Sequence, residues 1–181
     1  MMSSTLGKCE VHPASRILKA SELRAIGFWC GSLRGRVGPD DWVLRVIAEQ
    51  HAADVQSGRP FLPHPGRLIA ALGGRSYDTR LSGYLAAGVP VRQYFGCGVC
   101  RSCGTELGVS DLTDGTWVWP EGLEHYLQTH ELPLPAEFRS TVAANGYQIP
   151  LAPDIELHRD GDYDYTFWRS WATSAYRGVT S

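Results

Sequence analysis

Residues 100–130 read CRSCGTELGVSDLTDGTWVWPEGLEHYLQTH, and the fold turns on whether this stretch wraps a metal ion. Cys100 and Cys103 form C-x2-C, a spacing that fits one tight turn, with Arg101 and Ser102 in the bend. Gly104 lets the backbone turn so that its amides face the thiolates, because glycine takes positive φ at little cost. A hairpin follows: TELGV and TWVW flank SDLTDG, with its Asp114–Gly115 turn signal. EGLEHYLQTH then reads as a helix behind Pro120 that presents His125 and His130.

The whole pattern is C-x2-C-x21-H-x4-H. Two thiolates and two imidazoles are the donor set of a tetrahedral Zn²⁺ site, so Cys100, Cys103, His125 and His130 are the expected ligands. Helical positions five apart point about 140° from one another, so the helix must tighten or end by His130. The run ELPLP, with Pro133 and Pro135, supplies such an end. Cys97 leaves two alternatives open. Cys97, Cys100, Cys103 and His125 could bind the ion while His130 packs, or one position could be left to water, as in a catalytic site. A redox C-x-x-C pair opens a helix after a strand, whereas here a glycine and a strand follow.

The strings G-x-x-x-C-R-x-C-G, L-T-D-G-T-W-x-W-P-E-G-L-x-H-Y-x-x-x-H and L-P-x-E-F, between Gly96 and Phe138, resemble a family of uncharacterised bacterial zinc-finger-like proteins. The resemblance covers about a quarter of the chain well. It implies a zinc-type site on Cys100, Cys103, His125 and His130, with the place of Cys97 usually filled by another residue, often an aromatic. It implies no activity.

Around this segment, Trp117 and Trp119 share a strand face and read as core aromatics covering the metal side. The other reading is a groove that stacks a base or a peptide. Glu121 suits the first helical turn, where a carboxylate meets the dipole, or a second sphere around a histidine, or a general base. H-x-E with P-C-x-x-C, and H-E-x-x-H, are absent. From Gly104 to Glu137 there are seven acidic residues and no lysine or arginine, so docking of the 121–131 helix on DNA is disfavoured. Arginines 16, 24, 34, 36, 45, 67, 75, 80 and 92 are the remaining route to nucleic acid.

Elsewhere the chain reads as helices. Ser21 caps a short one stopped by Gly27. Residues 39–58 carry a longer one with an apolar stripe of Trp42, Val43, Val46, Ile47 and Ala53. Ser76 caps a third, and 89–96 alternates as a strand. PAEFRSTVAANG and the tail after DGDYDY add two more helices. CGSLRGRVGPDD lacks P-loop order and lysine. Asp160, Asp162 and Asp164 recur as in a calcium loop, but Tyr165 and Trp171 stand where glycine and glutamate belong, so they read as helix caps. Cys9 and Cys30 read as single thiols, buried rather than reactive; His12, His51, His64 and His158 have no ligand-like partner nearby in the sequence, and His51 is expected to face solvent.

The chain has 181 residues, 43% hydrophobic, with net charge −2. That suits a single α+β domain able to bury a core. Its parts are a loose 1–15, a mainly helical 16–95, a zinc-clipped knuckle–hairpin–helix module of treble-clef or ββα kind over 96–140, and a 141–181 extension with the last helix. Five cysteines, three of them within 97–103, fit metal binding in a reducing compartment better than a disulfide framework. No leader-like or bilayer-spanning apolar run occurs, and the expected location is cytoplasmic. The leading function is a structural zinc site in an interaction or regulatory module with a protein partner. The alternatives are a zinc-dependent hydrolase-like enzyme, with Glu121 or Asp114 as base, and a nucleic-acid adaptor.

Overall fold

A computed structural model of the chain describes residues 16–31, 42–57, 61–74, 78–150, 155–158 and 162–177. The expectations for residues 1–15, for Ser76 and for Asp160 lie outside them.

The hairpin is the centre of the molecule. Its strands are β4 (Ser110–Thr113) and β5 (Trp117–Pro120), antiparallel with Leu112 opposite Trp119 and Thr113 opposite Val118. Asp114 makes the turn: Oδ1 accepts the amides of Thr116 (2.8 Å) and Trp117 (2.6 Å). The first strand is SDLT rather than the expected TELGV. SDLT looks polar, but all four of its residues are buried. Asp111 Oδ2 accepts the hydroxyls of Tyr94 (2.6 Å) and Tyr163 (2.9 Å), and the Thr113 hydroxyl donates to the Trp117 carbonyl. Tertiary partners thus override the turn preference of these residues. TELGV folds back on the knuckle instead, through a bridge between Val99 and Glu106.

The sheet is completed on one side by β3 (Val89–Gln93), antiparallel to β4 with an irregularity between Pro90 and Arg92. On the other side β2 (Arg24–Ala25) runs parallel to β5, giving the order β2-β5-β4-β3. A separate parallel pair joins β1 (Arg16–Lys19) to β6 (Ile155–His158). The helix expected from Ser21 is therefore replaced by β1, a single 3₁₀ turn over Ala20–Glu22, and β2. Leu23 and Ala25, two apart, pack in one cluster while Ile26 packs in the other, which is a strand's alternation. The half expected to be mainly helical thus supplies three strands beside α1 (Trp42–Ser57), α2 (Pro65–Leu72) and α3 (Thr79–Ala86). The helix α3 is capped by Asp78, whose Oδ1 accepts the Arg80 amide at 2.9 Å.

Both sheet faces are covered. Trp117 and Trp119 are fully buried and meet Phe138 edge-on, at ring separations of 5.5 and 6.0 Å. Phe138 comes from α5 (Ala136–Ala144). Val118 faces the opposite cluster of Leu18, Leu23 and Tyr163. The two tryptophans are core, as expected, and share one buried cluster with Phe138 and Cys100. The last helix, α6 (Thr166–Arg177), is capped by Asp164, whose Oδ1 accepts the Thr166 amide at 2.9 Å. It docks through Trp168, whose indole N–H donates to the Phe28 carbonyl at 2.7 Å.

His51, expected in solvent, is 1% exposed. Its ring lies among Phe61 (5.1 Å), Tyr176 (5.7 Å) and His64 (6.0 Å). Val46, assigned to the apolar stripe of α1, is 46% exposed, and Ala53 is exposed as well. The face turned inward carries an aromatic contact that a simple hydrophobic count does not see. His64 is held at about 4, by burial first and then by Arg67 and Arg101. The unfolded imidazole takes up its proton near pH 6.5 and the folded one only near pH 4. Below pH 6.5 the unfolded state binds more protons, so stability falls from there to about pH 4 and then levels. Urea unfolding of His64→Leu is expected to show a pH dependence shallower than wild type by about 2 kcal/mol across that window. Parallel curves would remove His64 from the account.

Candidate metal centre

The knuckle is built by backbone hydrogen bonds. The Cys100 amide donates to the Thr105 carbonyl at 2.8 Å, and the Gly104 amide returns to the Cys100 carbonyl at 3.0 Å. Gly104 has φ +75°, the left-handed conformation the turn requires. The Ser102 amide points at Cys100 Sγ, 3.4 Å away, so the turn presents a donor to the sulfur as expected.

The helix α4 (Leu123–His130) carries the other two donors. Leu123, Tyr126 and Leu127 are its buried face. Gly122 precedes it at φ +88°, where a Cβ would meet Leu107 at 2.4 Å. His130 is the last helical residue. Glu131 is left-handed (φ 53°), and the Leu132 amide folds back to the Tyr126 carbonyl at 3.0 Å. The helix therefore ends where x4 spacing demands, and the two rings come within 5.1 Å of each other.

The four side chains converge. One donor atom from each of Cys100, Cys103, His125 and His130 lies within 4.8 Å of the others. Cys100 Sγ is 3.3 Å from His130 Nε2, and Cys103 Sγ is 3.2 Å from His125 Nε2. With bonds of about 2.3 Å to sulfur and 2.0 Å to nitrogen, tetrahedral angles put S and N about 3.5 Å apart. The group can hold a metal ion with little rearrangement, and its donor chemistry fits one. Cys100 is buried, and the other three donors are partly so. Cys97 is exposed and outside the group, so the three-cysteine alternative finds no support here.

Electrostatics act on the donors in opposite directions, and at Cys100 burial opposes the thiolate that a metal ion would favour. Burial pushes the Cys100 thiol up. Burial also opposes ionisation of Cys103, but the Thr105 hydroxyl and amide outweigh it and draw that thiol below its ordinary value. Burial lowers both His125 and His130, which keeps the imidazoles neutral, the form that ligates. His125 Nδ1 lies 3.3 Å from the Thr129 hydroxyl one turn on, an outer contact that orients the ring.

Two contributors were not legible from residue type. The Tyr126 hydroxyl accepts the Arg101 amide at 2.8 Å and so ties α4 to the knuckle. The Arg101 guanidinium donates to the carbonyls of Val99 (2.5 Å), Gly31 (2.7 Å) and Cys30 (3.4 Å), fastening the knuckle to the segment after β2. The only sequence signal was their position, one between the cysteines and the other beside His125.

The residues expected as bases hold the scaffold instead. Glu121 precedes α4, and its Oε2 accepts the amides of Val109 (2.9 Å) and Ser110 (3.1 Å). Asp114 is committed to its turn and to the Tyr84 hydroxyl at 2.7 Å. Of the arginines, Arg24 pairs with Glu137 (2.6 Å) and Arg80 with Asp78 (2.9 Å). Among the described residues, no helix is long and apolar enough to cross a membrane.

Comparison of the chain with family models, curated proteins and solved structures finds no match. What can be said of function therefore comes from the site itself.

Proposed function

We propose that the chain is a zinc protein whose Cys100–Cys103–His125–His130 site is structural, within an interaction or regulatory module. The observation that carries this reading is the convergence of four protein donors on one point. Four such donors fill a tetrahedral ion and leave no position for water. The residues that could have acted as bases, Glu121 and Asp114, already serve amides and a hydroxyl. Zinc fits two thiolates and two imidazoles better than a hard cation does. The order knuckle, hairpin, helix supports a treble-clef kind of module, and the motif residues between Gly96 and Phe138 support membership of the zinc-finger-like family they resemble. Reduced thiols suit a reducing compartment such as the cytoplasm. The acidic stretch from Gly104 to Glu137 favours a protein partner over nucleic acid at this module.

Cobalt(II) substitution tests the structural role. A closed S₂N₂ site gives intense four-coordinate bands that added azide leaves unchanged. A weak spectrum that shifts with azide would mean an open position, and the enzyme reading would replace this one.

A further inference from the structure

A cavity of about 470 Å³ opens beside the knuckle. Phe28, Trp29, Tyr94 and Phe95 line it, and so do Asp111 and Glu121. Phe95 stands at 103% exposure and Tyr94 at 48%. Adjacent exposed aromatics at the rim of a cavity form the kind of contiguous apolar patch that marks an interaction site.

Asp111 decides the chemistry. It is 2% exposed, yet it belongs to the cavity wall. Its Oδ2 is held by the Tyr94 and Tyr163 hydroxyls, at 2.6 and 2.9 Å. Among the described residues its Oδ1 accepts no hydrogen bond. Burial pushes this carboxyl up, and the two hydroxyls pull it back only in part. Arg92 contributes positive potential nearby, with its guanidinium 4.6 Å from the centre of the Tyr163 ring. Arg101, the one cation among the described residues of the cavity wall, directs its N–H groups to the carbonyls of Val99, Gly31 and Cys30. Among the described residues, the wall therefore offers acidic and aromatic side chains while its guanidinium is engaged. A buried carboxylate gains most from a charged donor, and aromatic rings gain from a cation near them.

We propose that this cavity binds the cationic side chain of a lysine or arginine presented by a partner polypeptide. A polypeptide fits better than a free amine because the fully exposed Phe95 at the rim is covered only if chain runs across it. The inference rests on the interaction role proposed above for the partner's nature. The cavity itself does not involve the four metal donors.

The test uses full-length protein, its metal content measured on the same samples. Blocked tripeptides Gly-Arg-Gly, Gly-Lys-Gly and Gly-norleucine-Gly, and free butylamine, are titrated while amide NMR shifts are followed. The cationic peptides are expected to shift Trp29, Tyr94 and Phe95. Norleucine and butylamine are expected to bind at least about tenfold more weakly. Asp111→Asn should weaken the cationic peptides about tenfold, and Phe95→Ser, on an exposed side chain that leaves the fold intact, about threefold. Equal binding of norleucine, equal binding of butylamine, unchanged affinity in Phe95→Ser, or no shifts up to about 10 mM would each overturn the proposal. Full metal content without peptide binding counts against this inference alone. Peptide binding without metal counts against the zinc reading alone.

Discussion

Cys100→Ser is expected to abolish stoichiometric metal binding and to lower the unfolding free energy by about 3–5 kcal/mol. The effect is large because Cys100 is fully buried and its sulfur lies 3.3 Å from His130 Nε2, within the donor group. A serine hydroxyl is a poor ligand for a borderline ion, so Cys103, His125 and His130 lose the charge they converge on. The loss does not reach the roughly 10–16 kcal/mol by which zinc stabilises an isolated finger. Here Leu123, Tyr126 and Leu127 hold α4 on the main core whether or not the ion is bound. Hydrogen exchange should therefore show lost protection over the knuckle amides, Cys100 and Gly104 among them, with α4 and the central hairpin protected. A chelator applied to wild type should reproduce the pattern. Urea denaturation and exchange on the two proteins check this, and a Cys100→Ser protein as stable as wild type would contradict it.

Asp114→Ala is expected to cost about 3 kcal/mol, read as a fall in Tm of about 6–12 °C. One carboxylate, 4% exposed, serves three donors: the Thr116 and Trp117 amides and the Tyr84 hydroxyl. Tyr84 in turn accepts from the Asn145 side chain at 3.1 Å, so the turn is bonded to α3 directly and to the end of α5 through it. Alanine leaves a buried amide and a buried hydroxyl without acceptors, each costing about 1–3 kcal/mol. Asp114→Asn keeps an acceptor oxygen for the turn and should recover more than half the loss. A change below about 0.5 kcal/mol for alanine would show that water replaces the carboxylate, and that the turn does not anchor the helices.

The site was far more legible than the fold around it. Cysteines three apart and histidines five apart announce themselves by residue type, and the run ELPLP with Pro133 and Pro135 marks the helix end that lets both rings face one ion. The hairpin was legible at Asp114–Gly115, but its first strand was misplaced. Asp111 and Thr113 look like turn residues until the tyrosine hydroxyls and the Trp117 carbonyl that satisfy them are known. Those partners lie up to 52 residues away along the chain, beyond any local window. Residues 16–26 failed for a related reason. A strand of two residues, Arg24–Ala25, has too little alternation to read, and it exists because β5 and Asp164 offer it a place. His51 was sent to solvent because nothing in its neighbourhood in sequence reveals the aromatic corner of Phe61 and Tyr176.

The claim beneath all of this is that two thiolates and two imidazoles hold one ion. Metal analysis of the purified protein, joined to X-ray absorption at the edge of whatever metal it carries, addresses it most directly. The account predicts one zinc per chain with two sulfur neighbours at about 2.3 Å and two nitrogen neighbours at about 2.0 Å. Protein that takes up no stoichiometric metal when zinc is supplied, or a shell with three sulfurs or an oxygen in place of a nitrogen, would contradict it.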